Sequence, residues 1–336
     1  MNTFKRTFLI AEIGVNHNGN LKRAFKLVKI AKNAGFDAVK FQTIIPQNLC
    51  IKNAPLANYQ KRSKFKDQFK MLKKISLTFK DFKKLHKYCK TQKIIFISTP
   101  FDIDSAVFLN NLGQKIFKIS SGDLDNFLLL KKIKSFNKKI ILSTGMSKFN
   151  EILKAVKFLN YDKKKLFILH CVSDYPTALK DTNLGFFNKL KKLGYNVGFS
   201  DHTLGFEASA CTIAMGTNII EKHITLKKTD TGPDHFCSLE SKDCKNFVDT
   251  IRAIEKSISK QKKQLTTQEK LTRLIARKSI YSKFDLPKNT LINENNIIAL
   301  RPKLNGISPS EFSKYLKKRT KKFVPKNSLI LKKYLI

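Results

Sequence analysis

The chain has 336 residues, 42% of them hydrophobic, enough for one large domain and a small companion, and no apolar run nears the ~18 residues of a membrane span. Its formal net charge of +41 comes from 66 basic residues against 25 acidic ones, and all but eight of the basic residues are lysine, scattered over every predicted helix. Base reading favours arginine and a gathered basic stripe, so the composition argues against nucleic acid and membrane partners and for a solvated lysine-rich surface.

The opening residues 1–6 run straight into an apolar segment without a signal-peptide pattern. From there one unit repeats: a short β-rich apolar run, a polar turn, then an amphipathic stretch. The runs are 8–14, 38–43, 94–99, 116–121, 139–143, 166–171, 197–202 and 219–225. Helical patterns at 21–34, 80–91, 148–159, 183–193 and 205–215 alternate with them. This predicts an α/β chain folded as a (β/α)8 TIM barrel. An open doubly wound sheet is the alternative, but no GxGxxG follows the first strand.

Residues 47–75 are longer than an ordinary βα connection and predict a lid or flank over the barrel mouth. A helix over 241–259 closes the barrel domain, 1–259. Residues 260–268 are polar and aperiodic, which predicts a linker over 260–274. Beyond it, short strands and turns around Pro287, Pro302, Pro309 and Pro325 predict a small β-rich domain, 275–336, with little core of its own. The six cysteines show no CxxC, and Cys171 and Cys211 lie in apolar runs suited to reduced core thiols, so a cytoplasmic location is expected.

In a barrel, polar residues at the carboxyl ends of the strands form the active site. Here those ends carry Glu12, Lys40, Gln42, Thr99, Lys118, Ser121, Asp123, Ser143, Ser173, Tyr175, Ser200, His202 and His223. Lysines buried at such a place need an anion, and hydroxyls beside glycine suit phosphate. The set therefore predicts a phosphorylated or carboxylated substrate. His202 and His223 end neighbouring strands and can share a metal ion; two satisfied core imidazoles are the other reading. His170 lies within a strand, where a structural and a functional role are equally open. His86 is expected to face solvent, and His17 and His235 border the mouth with either role open.

Assembled in order, Ala-Glu-Ile-Gly-Val-Asn-His-Asn-Gly, Lys-Phe-Gln-Thr, Ser-Thr-Pro-Phe, Lys-Ile-Ser-Ser-Gly-Asp, Leu-Ser-Thr-Gly-Met, Phe-Ser-Asp-His-Thr, Glu-Lys-His-Ile-Thr and Gly-Pro-Asp-His resemble the sialic acid synthase family over nearly the whole chain. Those enzymes condense phosphoenolpyruvate with an N-acylated hexosamine, N-acetylmannosamine or a 2,4-diacetamido-trideoxyhexose, to give a nine-carbon 2-keto acid. The C-terminal segment, with Leu-Arg-Pro-Lys-Leu-Asn-Gly-Ile-Ser-Pro at 300–309, resembles the family's antifreeze-like, or SAF, domain, a name that does not imply ice binding.

The resemblance implies a divalent metal on His202 and His223, typically Mn2+, with Mg2+ or Co2+ as alternatives. It implies that Lys40, Thr99, Lys118, Ser121, Ser143 and Ser200 hold phosphoenolpyruvate, with Ser173 where the family has a phosphate-side Asn. Gln42, Tyr175 and Asp234 would contact the sugar, joined by Arg301 of a partner subunit in a domain-swapped homodimer. Glu12 and Asp123 are the candidate catalytic acids, Asp123 standing where a Glu is also found. The neuraminate, legionaminate and pseudaminate branches, and other phosphoenolpyruvate-condensing sugar-acid synthases, remain open, the Arg-Pro and Asn-Gly-Ile-Ser-Pro segment looking closer to the first two.

Overall fold

The computed structural model describes residues 6–258 and 262–336, and the chain divides into two compact units, Met1–Ser259 and Lys260–Ile336. In the first, eight strands lie parallel: β1 (Phe8–Gly14), β2 (Ala38–Thr43), β3 (Ile95–Pro100), β4 (Ile116–Ile119), β5 (Lys139–Ser143), β6 (Leu166–Cys171), β7 (Asn196–Asp201) and β8 (Ile219–Thr225). Their order is β3-β2-β1-β8-β7-β6-β5-β4, and β3 packs beside β4, so the sheet curls into a nearly closed (β/α)8 barrel. A two-residue strand, β9 (Leu239–Glu240), pairs onto β8.

The helices are α1 (Leu21–Ala34), α2 (Pro46–Leu49), α3 (Gln68–Ile75), α4 (Phe79–Thr91), α5 (Ile103–Asn111), α6 (Phe127–Ser135), α7 (Phe149–Leu159), α8 (Gly185–Lys191), α9 (Glu207–Ala214) and α10 (Cys244–Ile258). The starts of α1, α3, α4, α5 and α6 are capped by short polar side chains: Asn20 accepts from the Arg23 amide, and Thr78 and Asp81 form a capping box at α4. Arg252 on α10 reaches the Asp37 carboxylate at 2.8 Å and the Thr7 carbonyl at 2.7 Å, tying the last barrel helix to the start of the sheet. Residue 259, the expected end of this helix, lies outside the described residues.

Strand alternation explains both the core and the site. Leu9, Ala11, Val39, Phe117, Leu142, Ile168 and Ile220 point outward into one apolar cluster with the helices. Phe8, Ile10, Ala38, Ile97, Ile116, Ile141, Leu169 and Ile219 point inward and fill the lower barrel. One step further along the inward row of the same strands stand Glu12, Lys40, Thr99, Lys118, Ser143, Cys171 and Glu221. The interior therefore turns from apolar to polar along a single direction. Gly198 on β7 makes room for this packing, since a Cβ there would sit 2.5 Å from Leu169 Cδ2 and 2.6 Å from the Ile219 carbonyl.

In the second unit, β10 (Ser279–Ser282) pairs antiparallel with β11 (Ile297–Leu300), and isolated bridges join Leu286 to Val324 and Thr320 to Leu335. Its core is Ile280, Leu286, Ile292, Ile307, Val324, Ile330 and Leu335, so this unit has a fuller apolar centre than its composition suggests. The expected linker is corrected in part. Residues 260 and 261 lie outside the described residues, but α11 (Thr267–Ala276) is helical, started by a capping box of Thr266 and Glu269 that the polar texture conceals. Among the described residues no helix is long and apolar enough to cross a membrane.

Candidate active site

A cavity of about 350 Å³ opens where the inward rows turn polar. Its floor is an ionic chain drawn from four strands. Lys40 Nζ lies 2.8 Å from Glu12 and 3.6 Å from Glu221, Lys118 Nζ lies 3.3 Å from Glu221, and the Ser200 hydroxyl donates to Glu221 at 3.0 Å. Lys40 also donates to Thr99 Oγ1 at 3.3 Å, and Gln42 donates to Glu12 at 3.4 Å.

All four ionic groups are buried, so their neighbours set their charge. Burial raises the Glu221 carboxyl, but Lys118 and then Lys40 outweigh it and bring the group down to about 2. Burial raises Glu12 above the usual carboxylate range, with Lys40 opposing. Burial lowers Lys118 with only partial relief from Glu221, whereas Glu12 and Glu221 together carry Lys40 above its ordinary value. The floor thus sets two buried lysines against Glu12 and a firmly ionised Glu221, with both ammonium positions facing the cavity where an anion can meet them.

Beside the lysines is a corner of small polar groups. The Gly145 amide donates to Ser121 Oγ at 3.0 Å and to Cys171 Sγ at 3.1 Å, and Ser143 Oγ is buried with no hydrogen-bond partner. Ser173 closes this corner so tightly that a Cβ on Gly145 would stand 2.2 Å from its hydroxyl.

His202 and His223 meet on the other side, ring centroids 5.6 Å apart. His202 Nδ1 lies 2.6 Å from the Val172 carbonyl, which can only accept, so Nε2 carries the lone pair. Burial lowers His202 to about 4 and His223 well below the ordinary imidazole value, so both rings are neutral at physiological pH. His223 Nδ1 makes no hydrogen bond, and Asp234 Oδ2 is 3.9 Å from it. Burial, then Glu12, lifts Asp234 to about 7. Two adjacent neutral imidazoles, one with an orphaned ring nitrogen, fit a divalent metal with substrate and water completing its shell. Among the described residues no group of three His, Cys, Asp or Glu forms a complete cage.

The long β2–α4 connection supplies the roof. Tyr59 packs tilted against Tyr175 with ring centroids 4.8 Å apart, and Tyr175 packs tilted against His202 at 4.2 Å. Leu49, Gln60, Gln68, Met71, Leu72 and Ile75 line the same cavity.

The structure brings Glu12, Lys40, Gln42, Thr99, Lys118, Ser121, Ser143, Ser173, Tyr175, Ser200, His202, His223 and Asp234 to this one cavity. Asp123 is the exception. Its carboxylate accepts from Ser120 Oγ and from Asn126 Nδ2 at 3.0 Å, serving the turn before α6, and it does not line the cavity. Glu221, which the sequence reading did not single out, lines the cavity beside Glu12 and Asp234. Its signal was parity, since on β8 the residue two before an inward histidine must also face inward. Tyr59 had no signal beyond the length of the connection that carries it.

The remaining histidines do not line this cavity. His170 Nε2 lies 2.8 Å from the Thr182 carbonyl, and His235 contacts Thr225 Oγ1 at 2.7 Å and Asn18 Oδ1 at 3.2 Å. His17 Nδ1 accepts from the Gly19 amide at 3.1 Å. His86 is half-buried edge-on against Phe96 and does not stand free in solvent as expected. Cys211 is exposed on α9, not in the core, because the apolar run around it places only one face inward. Arg301 is an exposed residue of the second unit.

With this geometry in place, comparison with known proteins gives a consistent picture. Residues 27–263 match the NeuB family. The chain is 41% identical to N,N'-diacetyllegionaminic acid synthase of Campylobacter jejuni over 97% of this chain and 99% of that protein. It is 39% identical to the synthase of the same name from Legionella pneumophila, over 91% and 88% of the two chains. Among solved structures it is similar to an N-acetylneuraminic acid synthetase from Leptospira borgpetersenii, crystallised with citrate, with a TM-score of 0.71, 32% identity, and coverage of 80% of this chain and 90% of that one.

Proposed function

The chain belongs to the NeuB family, the sialic acid synthases, and from that premise we propose that it condenses phosphoenolpyruvate with an N-acylated hexosamine, releasing phosphate and a nine-carbon sialic-type acid. The observation that carries this reading is the pairing of Lys40 and Lys118, buried and bridged by Glu221, with two neutral imidazoles in the same small cavity. One end suits a phosphorylated carboxylate and the other an aldehyde.

In the reaction, C3 of phosphoenolpyruvate attacks the aldehyde carbon of the open-chain sugar, water adds at C2, and the tetrahedral intermediate expels phosphate by C–O cleavage. Lys40 and Lys118 offset the phosphate and carboxylate charge in a dry site where such pairing is strong. Glu221 keeps both ammonium groups aimed into the cavity before substrate arrives. Ser121, Ser143, Ser173, Ser200 and Thr99 offer hydroxyls to the anion, Ser143 Oγ being already without a protein partner. Glu12, its carboxyl raised by burial, is placed to exchange a proton with the water that adds at C2. Gln42, Tyr175 and Asp234 face the sugar. His202 and His223 would hold the divalent metal, Mn2+ by preference, which polarises a carbonyl as a Lewis acid when bound.

The test is phosphate release from phosphoenolpyruvate with a panel of N-acylated hexosamines. Release that requires one of these sugars supports the reading, and release with none of them contradicts it.

The reading extends to assembly, with the second unit as a SAF domain and Arg301 of one copy completing the sugar pocket of another in a swapped homodimer. What supports it is the family resemblance together with an exposed guanidinium whose planar fork suits a sugar hydroxyl or acyl oxygen. Mixing Arg301→Ala with His202→Ala chains under conditions of subunit exchange should restore part of the activity. Verified heterodimers as inactive as either parent would contradict it.

A further inference from the structure

Behind the two histidines, on the outward side of the same strands, lies a second buried ion pair that the reaction does not touch. Asp201 directly precedes His202, Lys222 directly precedes His223, and the two are opposite one another in the β7–β8 register. Alternation turns their side chains away from the cavity, and neither lines it. Both are fully buried, with Lys222 Nζ 3.2 Å from Asp201 Oδ1.

The pair is completely satisfied. Lys222 Nζ donates to the carbonyls of Thr203 at 2.6 Å and Gly205 at 2.5 Å. Asp201 Oδ1 accepts from the Thr203 amide at 2.9 Å and its hydroxyl at 2.7 Å, while Oδ2 accepts from Ser209 on α9 at 2.6 Å. The bonds to Thr203 and Gly205 hold the turn that leaves His202 and join it to the strand carrying His223, and the Ser209 bond ties α9 to the same aspartate. A buried ion pair is an inefficient way to add stability, because an apolar pair of similar volume is often equal or better. What this one supplies is direction: the Thr203 and Gly205 carbonyls are fixed against Lys222 on β8 and the Thr203 amide against Asp201 on β7.

We propose that Asp201 and Lys222 are positioning residues that set the separation of the two imidazoles, and so the affinity of the pair for a divalent metal. This rests on the reading of His202 and His223 as metal ligands, and on their 5.6 Å ring separation being held from behind by the strand-to-turn bonds. From the cavity side, Val172 restrains only His202 and no hydrogen bond restrains His223 Nδ1. Tyr175 packs against both rings from the cavity side, 4.2 Å from His202 and 6.0 Å from His223 between centroids, and the outward pair braces the two strands from behind.

The test is the affinity of the full-length protein for Mn2+, read from the electron paramagnetic resonance signal of the free ion, alongside thermal unfolding of the metal-free protein. The double change Asp201→Leu with Lys222→Met removes both charges together, so neither is left buried alone. It should still fold, with a melting temperature lowered where the Thr203 and Gly205 carbonyls, the Thr203 amide and the Ser209 hydroxyl lose their partners, and bind Mn2+ roughly 10–100-fold more weakly. Thr203→Val, which keeps the pair and withdraws one hydroxyl from Asp201, should weaken Mn2+ by about threefold. Mn2+ affinity within twofold of the wild type in the folded double variant would overturn the proposal. If that variant does not fold, unchanged affinity in Thr203→Val would do so. A wild-type chain that takes up no Mn2+ would remove the metal reading itself and this proposal with it, whereas wild-type uptake with unaltered variants removes the proposal alone.

Discussion

The two units treat charge in opposite ways. The barrel buries Glu12, Lys40, Lys118, Asp201, Glu221, Lys222, Asp234 and several histidines, while in the second unit the buried polar side chains are the hydroxyls of Ser279, Ser282 and Thr320. Desolvating a charge is costly wherever it happens, so burial of charge marks a place where something answers it. In the barrel the answers are partly internal, through Glu221 and Asp201, and partly left for a ligand. The second unit is an ordinary apolar core under a lysine-rich surface, and any contribution it makes to catalysis must come through an exposed group such as Arg301.

The sharpest way to break this contrast is to remove a barrel histidine. His223→Ala should lower turnover by at least about 10³-fold while the fold survives, because its ring is neutral and leaves no unpaired charge behind. Retained Mn2+-stimulated phosphate release would show that the histidine pair is structural.

Next in size is the floor. Glu221→Gln leaves Lys118 without its ion pair, so kcat/KM for phosphoenolpyruvate should fall roughly 10²–10³-fold and the protein lose about 3–5 kcal/mol of stability. Denaturant unfolding together with kinetics would check both; a stable, active variant would mean the lysines need no bridge.

Acid separates the units more gently. Burial lowers His17 and His235 to about 4, so above pH 6.5 their stabilising contribution is fully present, and it is lost as pH falls through about 4. Each should account for about 3 kcal/mol at pH 4. The second unit contains no histidine at all. Hydrogen exchange followed by segment from pH 7 to 4.5 should show the barrel losing protection first, and simultaneous loss in both units would contradict this.

The smallest effect belongs to Asp123. With its carboxylate held by Ser120 and Asn126, Asp123→Asn should change kcat/KM by less than about threefold and stability by about 1 kcal/mol. A hundredfold loss of activity would return it to the catalytic set.

These outcomes also reflect what could be read from residues alone. The strands were legible because each is apolar on both faces for several residues, and β1, β2, β5, β6 and β8 fall where the pattern puts them. The site was legible because polar side chains at the ends of such strands have one place to go. Asp123 and Glu221 were exchanged for a local reason. Asp123 follows its strand by a turn, where a side chain can fold back onto Ser120, whereas Glu221 is inside β8, where alternation allows no choice. The α11 helix was hidden by polarity, its apolar face being only Leu271, Leu274 and Ile275, all exposed in the single chain. Tyr59 reaches the site through a tertiary fold of the 44–75 connection that no periodicity encodes.

The central claim is that the buried charges of the barrel serve a condensation at C2 of phosphoenolpyruvate and not the hydrolysis of a phosphate ester. It is tested most directly by running the reaction in water enriched in oxygen-18 with an N-acylated hexosamine present, then measuring the isotope in the released phosphate by mass spectrometry. Cleavage of the C–O bond predicts phosphate free of solvent label, formed in equal amount with a sugar acid extended by three carbons. Labelled phosphate, or phosphate formed without the extended acid, would contradict the account.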